Sequence, residues 1–197
     1  MRNIRVWSVL GLLTIGTVAQ AQTADTGGKS TAPATNADTA LLRGERLSVF
    51  GGCHDCHTPK IMTANGPQPD ASRLLSGHPA KTPLPVIPPG VISPTQWGAL
   101  ATNDLTAWAG PWGISFAANL TPDPSGLGPW TEQQFIRTMR TGKHLGVGRA
   151  LLPPMPWFDS APLTDEELKA LFRYLRSLKP ISNTVPPPVP PQGSGAG

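Results

Sequence analysis

From residue 58 to residue 128 the chain offers almost nothing from which a regular core could be built. Proline and glycine recur in "TPLPVIPPG", "AGPWG" and "TPDPSGLG", and no run alternates apolar and polar residues long enough to predict a strand. The chain holds 24 prolines and 21 glycines in 197 residues, so much of its backbone is expected to be irregular. A structureless stretch of this length is improbable in a compact domain unless it has something to wrap. Trp97, Trp108 and Trp112 lie within it. The pattern therefore predicts that a bulky apolar object supplies part of the core.

Regular structure is confined to three helical stretches. The first starts from an Asp38 or Thr39 cap and runs through "TALLRGERLSVF", with Leu47 and Phe50 three apart on one face. Gly44 inside it costs about 1 kcal/mol relative to alanine, which makes sense if another helix crosses closely. The second is "WTEQQFIRTMRTG": Thr131 and Gln134 fit a capping box, Phe135 and Met139 share a face, and Gly142 closes the end. The third is "LTDEELKALFRYLRSLKP", capped by Thr164 with Glu167. Leu168, Leu171, Phe172, Leu175 and Leu178 form its apolar stripe. Asp165, Glu166 and Glu167 sit at the positive end of its dipole and Arg173, Arg176 and Lys179 at the negative end. Its natural partner is the first helix. Apolar residues make up 39% of the chain and charged ones 14%, enough for a small helical core.

The ends read differently. Arg2 and Arg5, the apolar run Val6 to Val18 and the small-x-small site at Ala19 to Ala21 predict an export signal over 1–21. That run is shorter than the roughly 20 residues that span a bilayer, so cleavage is expected, with an uncleaved anchor the alternative. Residues 22–37 are expected to be a flexible leader, 38–180 the folded domain, and 181–197 a disordered proline- and glycine-rich tail. Losing Arg2 and Arg5 brings the formal charge of +4 down to about +2, too weak a bias to argue for nucleic acid. Export places the cysteines in an oxidising compartment.

Both cysteines, and two of the four histidines, stand in "GGCHDCHTPK". A disulfide between Cys53 and Cys56 leaves His57 without a role. Zinc needs four ligands in a closed site, and no second Cys/His pair stands at ligand spacing. A redox dithiol belongs near a βαβ pattern, and there is none. Covalent haem of the c type fits better. Two thiols three residues apart on one tight turn can form thioethers with the two vinyl groups of a porphyrin, and the histidine that follows is carried beneath the ring to ligate iron. His54 is expected to be a solvent-facing spacer.

The candidates for the sixth ligand are Met62, Met139, Met155, His78 and His144. Met62 is too close to His57 for the chain to turn around the ring edge. Met139 reads as ordinary core beside Phe135. Met155, in "RALLPPMPWF", is stiffened by Pro153, Pro154 and Pro156, so its thioether is placed in advance with little entropy left to lose. Leu151, Leu152, Trp157 and Phe158 are expected to wall it. Met155 is the predicted distal ligand.

With these residues assembled, the chain resembles a class I-type cytochrome c over about 38–180. "GGCHDCHTPK", "ANLTPDPSGLGPWTEQQF", "LLPPMPW" and "LTDEELKALFRYLRSL" are similar to the haem domains of periplasmic cytochromes of bacteria, especially the cytochrome subunits of alcohol and gluconate dehydrogenases. The resemblance implies an all-α cytochrome c fold, three to four helices around one covalent haem c with long Pro/Gly-rich loops. It implies that Cys53 and Cys56 hold the haem, that His57 and Met155 ligate its iron, and that Asn119 to Asp123 lie near it. The expected function is single-electron transfer in the periplasm between a dehydrogenase or another cytochrome and a terminal acceptor such as an oxidase, rather than catalysis. The alternative is a haem protein whose sixth site is open or labile, acting as a ligand-binding or redox enzyme component. Those dehydrogenase subunits carry three haem motifs where this chain has one, and no amphipathic membrane-binding tail is seen, so a free or loosely docked carrier without stable membrane insertion is expected.

Overall fold

The computed structural model describes residues 35–93 and 95–191. The expected export signal, residues 22–34 of the leader and residues 192–197 of the tail lie outside them.

Three helices form the frame. Helix α1 (Asn36–Phe50) starts two residues before the predicted cap, because Thr35 and Asp38 close a capping box: the Thr35 hydroxyl accepts from the Asp38 amide at 3.2 Å and the Asp38 carboxylate accepts from the Thr35 amide at 3.0 Å. The leader is therefore structured at its end. Helix α3 (Glu132–Thr141) and helix α5 (Asp165–Ser177) carry the predicted boxes, Thr131 with Gln134 and Thr164 with Glu167. The second helix, α2 (Cys53–His57), and the fourth, α4 (Trp157–Ser160), are short.

The core forms where α3 and α5 meet. Phe135, Ile136 and Met139 from one and Leu168, Leu171, Phe172 and Leu175 from the other are buried together with Leu75 and Leu127, and the Phe135 and Phe172 rings lie 5.2 Å apart. Helix α1 packs across α5 at Gly44, where a Cβ would collide with the Ala170 carbonyl and the Tyr174 side chain. This close approach accounts for the glycine. The expected Leu47/Phe50 face does not form: Leu47 packs against the core, while Phe50 is 93% exposed.

The fold is not all-α. Among the described residues, five strands make two antiparallel sheets. Strands β1 (Lys60–Thr63) and β2 (Gly66–Pro69) form a hairpin, with Lys60 opposite Pro69 and Thr63 opposite Gly66. Strands β3 (Leu100–Ala101), β4 (Ala107–Gly110) and β5 (Gly113–Phe116) form the second sheet in sequence order. The architecture is mixed α and β. These strands escape a search for alternation because they are two to four residues long. In β4 and β5 the inward positions fall on Ala107, Ala109, Gly113 and Ser115, which carry little hydropathy contrast. Two prolines in β2 are tolerated because a two-stranded ribbon has free edges.

The tail also departs from expectation, since residues 181–191 lie along the domain. Asn183 is buried; its amide donates to the carbonyls of Ser76 at 2.7 Å and His78 at 2.9 Å, and its oxygen accepts from the Ala80 amide at 3.0 Å. Val189 exchanges backbone hydrogen bonds with Ile114 at 2.7 and 2.9 Å, extending the edge of β5. Proline-rich sequence lacks many donors, but its carbonyls and scattered amides still pair with a waiting edge.

Candidate cofactor-attachment site

Helix α1 ends at Phe50, and Gly51 and Gly52 turn the chain into α2. Gly52 adopts a left-handed φ of 66°, which a residue with a side chain rarely accepts. Within α2, Cys53, Cys56 and His57 stand at i, i+3 and i+4, the spacing that puts side chains on one helical face. So short a helix needs help at its C-terminal end. Lys60 provides it, donating to the carbonyls of His54 at 3.0 Å and Thr58 at 2.7 Å, and also to that of Asp55.

His57 is buried, and its Nδ1 lies 2.8 Å from the Ala118 carbonyl. A carbonyl only accepts, so Nδ1 carries the proton and donates. In the neutral ring Nε2 then keeps its lone pair, and nothing among the described residues hydrogen-bonds to it. Burial holds the His57 pKa below its ordinary value, which favours that neutral, ligand-competent form. The backbone is fixed as well: the Gly77 amide donates to the His57 carbonyl at 2.8 Å, and the Leu75 amide to the Thr58 hydroxyl at 3.0 Å.

The two thiols are not bonded to each other. Burial raises the pKa of both, only partly opposed by a hydrogen bond from Ser48 at Cys53 and by Lys60 at Cys56. They are protonated near neutrality, unlike the activated thiolate of a redox dithiol. No group of three or more Cys, His, Asp or Glu side chains is arranged to hold a metal ion among the described residues. A closed zinc site therefore lacks a ligand set. The donors do fit a haem: two free thiols and one imidazole with a bare nitrogen share a single helical face.

Met155 follows a turn in which Pro153–Pro154 is cis. The loop is tied to β5 by the Ser115 hydroxyl, which donates to the Pro153 carbonyl at 2.5 Å. Met155 is partly buried and packs against the same apolar cluster that Cys53 touches. Leu151, Leu152 and Trp157 are partly buried beside it in the chain, but Phe158 is 60% exposed and is no part of a wall. Of the rival ligands, Met62 lies exposed on β1, Met139 is core, the His78 Nδ1 is 2.8 Å from the Thr106 hydroxyl, and His144 meets the edge of Trp130.

His54 is not a free spacer. It is half-buried, with Nε2 3.2 Å from the hydroxyl of the fully buried Ser48. Sequence reasoning also missed Ala118, Ser115 and Lys60. The one available signal was that Ala118 stands immediately before Asn119. Asn119 is the hub of its turn: its oxygen accepts from the Thr121 amide and hydroxyl at 3.0 and 2.8 Å, and its amide donates to the Ile181 carbonyl at 2.8 Å. That anchoring holds the Ala118 carbonyl against His57.

No protein-family model matches the chain. Individual proteins do. It is 26% identical over 192 residues to the fructose dehydrogenase cytochrome subunit of Gluconobacter japonicus, covering 94% of this chain and 31% of that one. It is 28% identical over 147 residues to the gluconate 2-dehydrogenase cytochrome c subunit of Pantoea cypripedii, covering 74% and 25%. Over a shorter span of 74 residues it is 34% identical to the cytochrome c subunit of a quinone-type alcohol dehydrogenase of Gluconacetobacter polyoxogenes, covering 36% and 16%. These likenesses relate the chain to cytochrome c subunits of dehydrogenases. The chain spans less than a third of the length of these relatives.

Proposed function

We propose that this chain is an exported electron-transfer protein of the c-cytochrome type, with Cys53 and Cys56 holding one haem through thioethers, His57 as its proximal ligand and Met155 as its distal ligand. The observation that carries this reading is the hydrogen bond from His57 Nδ1 to the Ala118 carbonyl at 2.8 Å, which leaves Nε2 bare on the face that holds both thiols. Haem bound there would supply a one-electron iron couple, and a thioether ligand favours its reduced state.

The protein's own residues would do the rest. The Ala118 carbonyl fixes the imidazole tautomer and ring orientation. Ser115 holds the Met155 loop through the Pro153 carbonyl. The apolar cluster touched by Cys53 and Met155 keeps water from the site and disfavours extra charge. With His57 and Met155 both committed to the iron, no position would be left for a substrate, and the proposed role is carrier rather than catalyst. The relatives are named as cytochrome subunits of dehydrogenases, and a dehydrogenase is the proposed electron donor, with a second cytochrome or an oxidase as acceptor. Among the described residues no helix is long and apolar enough to cross a membrane. Periplasmic residence is proposed from the N-terminal Arg2–Ala21 pattern.

The experiment is optical spectroscopy on protein produced with haem-attachment machinery. The oxidised form should carry the weak far-red methionine–iron band, and the reduced form should not bind carbon monoxide. Met155→Ala should abolish the band and admit carbon monoxide. A spectrum unmoved by that substitution contradicts the distal assignment, and ready carbon monoxide binding by the unaltered protein favours an open or labile sixth site.

A further inference from the structure

Arg73 is in an unusual position for a cation. Its Nε is sealed from solvent with no hydrogen-bond partner, and no described residue accepts a hydrogen bond from any nitrogen of its guanidinium. A guanidinium with five donors and no acceptor is costly to keep partly buried. Asp70, three residues before it in the chain, is engaged locally instead, accepting from the Ser72 amide and hydroxyl at 2.9 and 2.6 Å.

Arg73 lines an open depression of about 510 Å³ formed where residues 79–82 meet residues 182–184. Lys81 is the other charged residue of the lining, no acidic side chain belongs to it, and Thr82, Ser182 and Thr184 bring hydroxyl groups. The Asn183 side chain is spent on holding the two segments together, through the Ser76 and His78 carbonyls and the Ala80 amide. The walls are thus pinned in place while the donors are left over. Two cations, three hydroxyls and no counter-charge in a fixed hollow make a receptor for negative oxygen.

We propose that this depression binds a small oxyanion, a carboxylate or phosphate group seated on the Arg73 guanidinium with Lys81 as the second positive charge. None of Cys53, Cys56, His57 or Met155 belongs to the lining.

The test is a titration of the mature protein, haem-loaded and reduced, with inorganic phosphate and separately with succinate, followed by amide NMR. The expected result is a saturable shift confined to the amides of Ala80 to Thr82 and Ser182 to Thr184. Arg73→Gln should weaken binding about tenfold or more, as loss of a charge-assisted pair does. Lys81→Gln, on an exposed side chain, should weaken it severalfold without moving the thermal unfolding midpoint, which separates loss of binding from loss of fold. The tighter probe identifies the head group as carboxylate or phosphate. Shifts that do not saturate, or that appear at every lysine, overturn the proposal. So does a haem-loaded protein that binds neither probe, since a carboxylate already in the molecule would then own the site.

Discussion

At the scale of single residues, the site depends on groups whose contribution is positional rather than chemical. The Ala118 side chain does nothing for His57, yet its carbonyl decides which imidazole nitrogen is available. Ser115 acts by position too, on the Met155 loop, where its hydroxyl accepts from Trp112 at 3.2 Å and donates to the Pro153 carbonyl. Removing that hydroxyl takes a partner from the part-buried Trp112 indole N–H and from the Pro153 carbonyl, so Ser115→Ala should lower stability by about 0.5–1.5 kcal/mol. It should also weaken the methionine–iron band of the oxidised protein. Denaturant unfolding and the far-red spectrum check this, and a substitution that moves neither means the Met155 loop does not depend on β5. The proposed attaching residues could be nominated because Cys53, Cys56 and His57 are near neighbours in the chain. Ala118 could not, because it acts across 61 positions through its backbone, and no side chain advertises that.

At the scale of elements, the crossing of α1 over α5 is the contact that orients the helix leading into the cysteines. A methyl group at Gly44 has nowhere to go, because the Ala170 carbonyl is backbone and cannot swing aside. Gly44→Ala should therefore destabilise by about 1–3 kcal/mol despite improving helix propensity. Equilibrium denaturation reads this, and a stabilised variant would show that the helices can slide apart freely. The same pair of helices is clipped by Arg43 to Glu167 at 2.8 Å. The Thr164 amide first, then Arg43 and the Thr164 hydroxyl, hold the Glu167 pKa down from 4.5 to about 2. A lowered folded-state pKa contributes stability that is present above 4.5 and lost as pH falls toward about 2. Both partners reach solvent, so the contribution is small and screened by salt. The thermal midpoint should fall on acidification through that window, and less steeply in Glu167→Gln; equal slopes would contradict it. Helices α3 and α5 were readable from capping boxes and apolar stripes, which are local signals. Helix α1 is capped at Thr35, three residues before the earlier of the two expected caps, because Thr35 stands among small polar residues that look like linker.

At the scale of the molecule, the proline- and glycine-rich middle is neither featureless nor simply wrapped. It folds into two small sheets, and residues 74–78 form a strap that ties Thr58, His57 and Leu120 together. The tail then closes over it through Asn183 and Val189. Periodicity could not reveal this: pairs of short strands are specified by partners distant in sequence, and small residues such as Ala107 and Gly113 face inward without a hydropathy contrast. What the sequence offered was a candidate chemistry, since Cys53, Cys56 and His57 place two thiols and an imidazole within five positions, as covalent haem attachment would require. The most direct measurement is the intact mass of the mature polypeptide made with competent attachment machinery. The account predicts a gain of one haem that survives denaturation, with Cys53→Ala and Cys56→Ala each reducing attachment and the double substitution abolishing it. A mature chain carrying no added mass would contradict it.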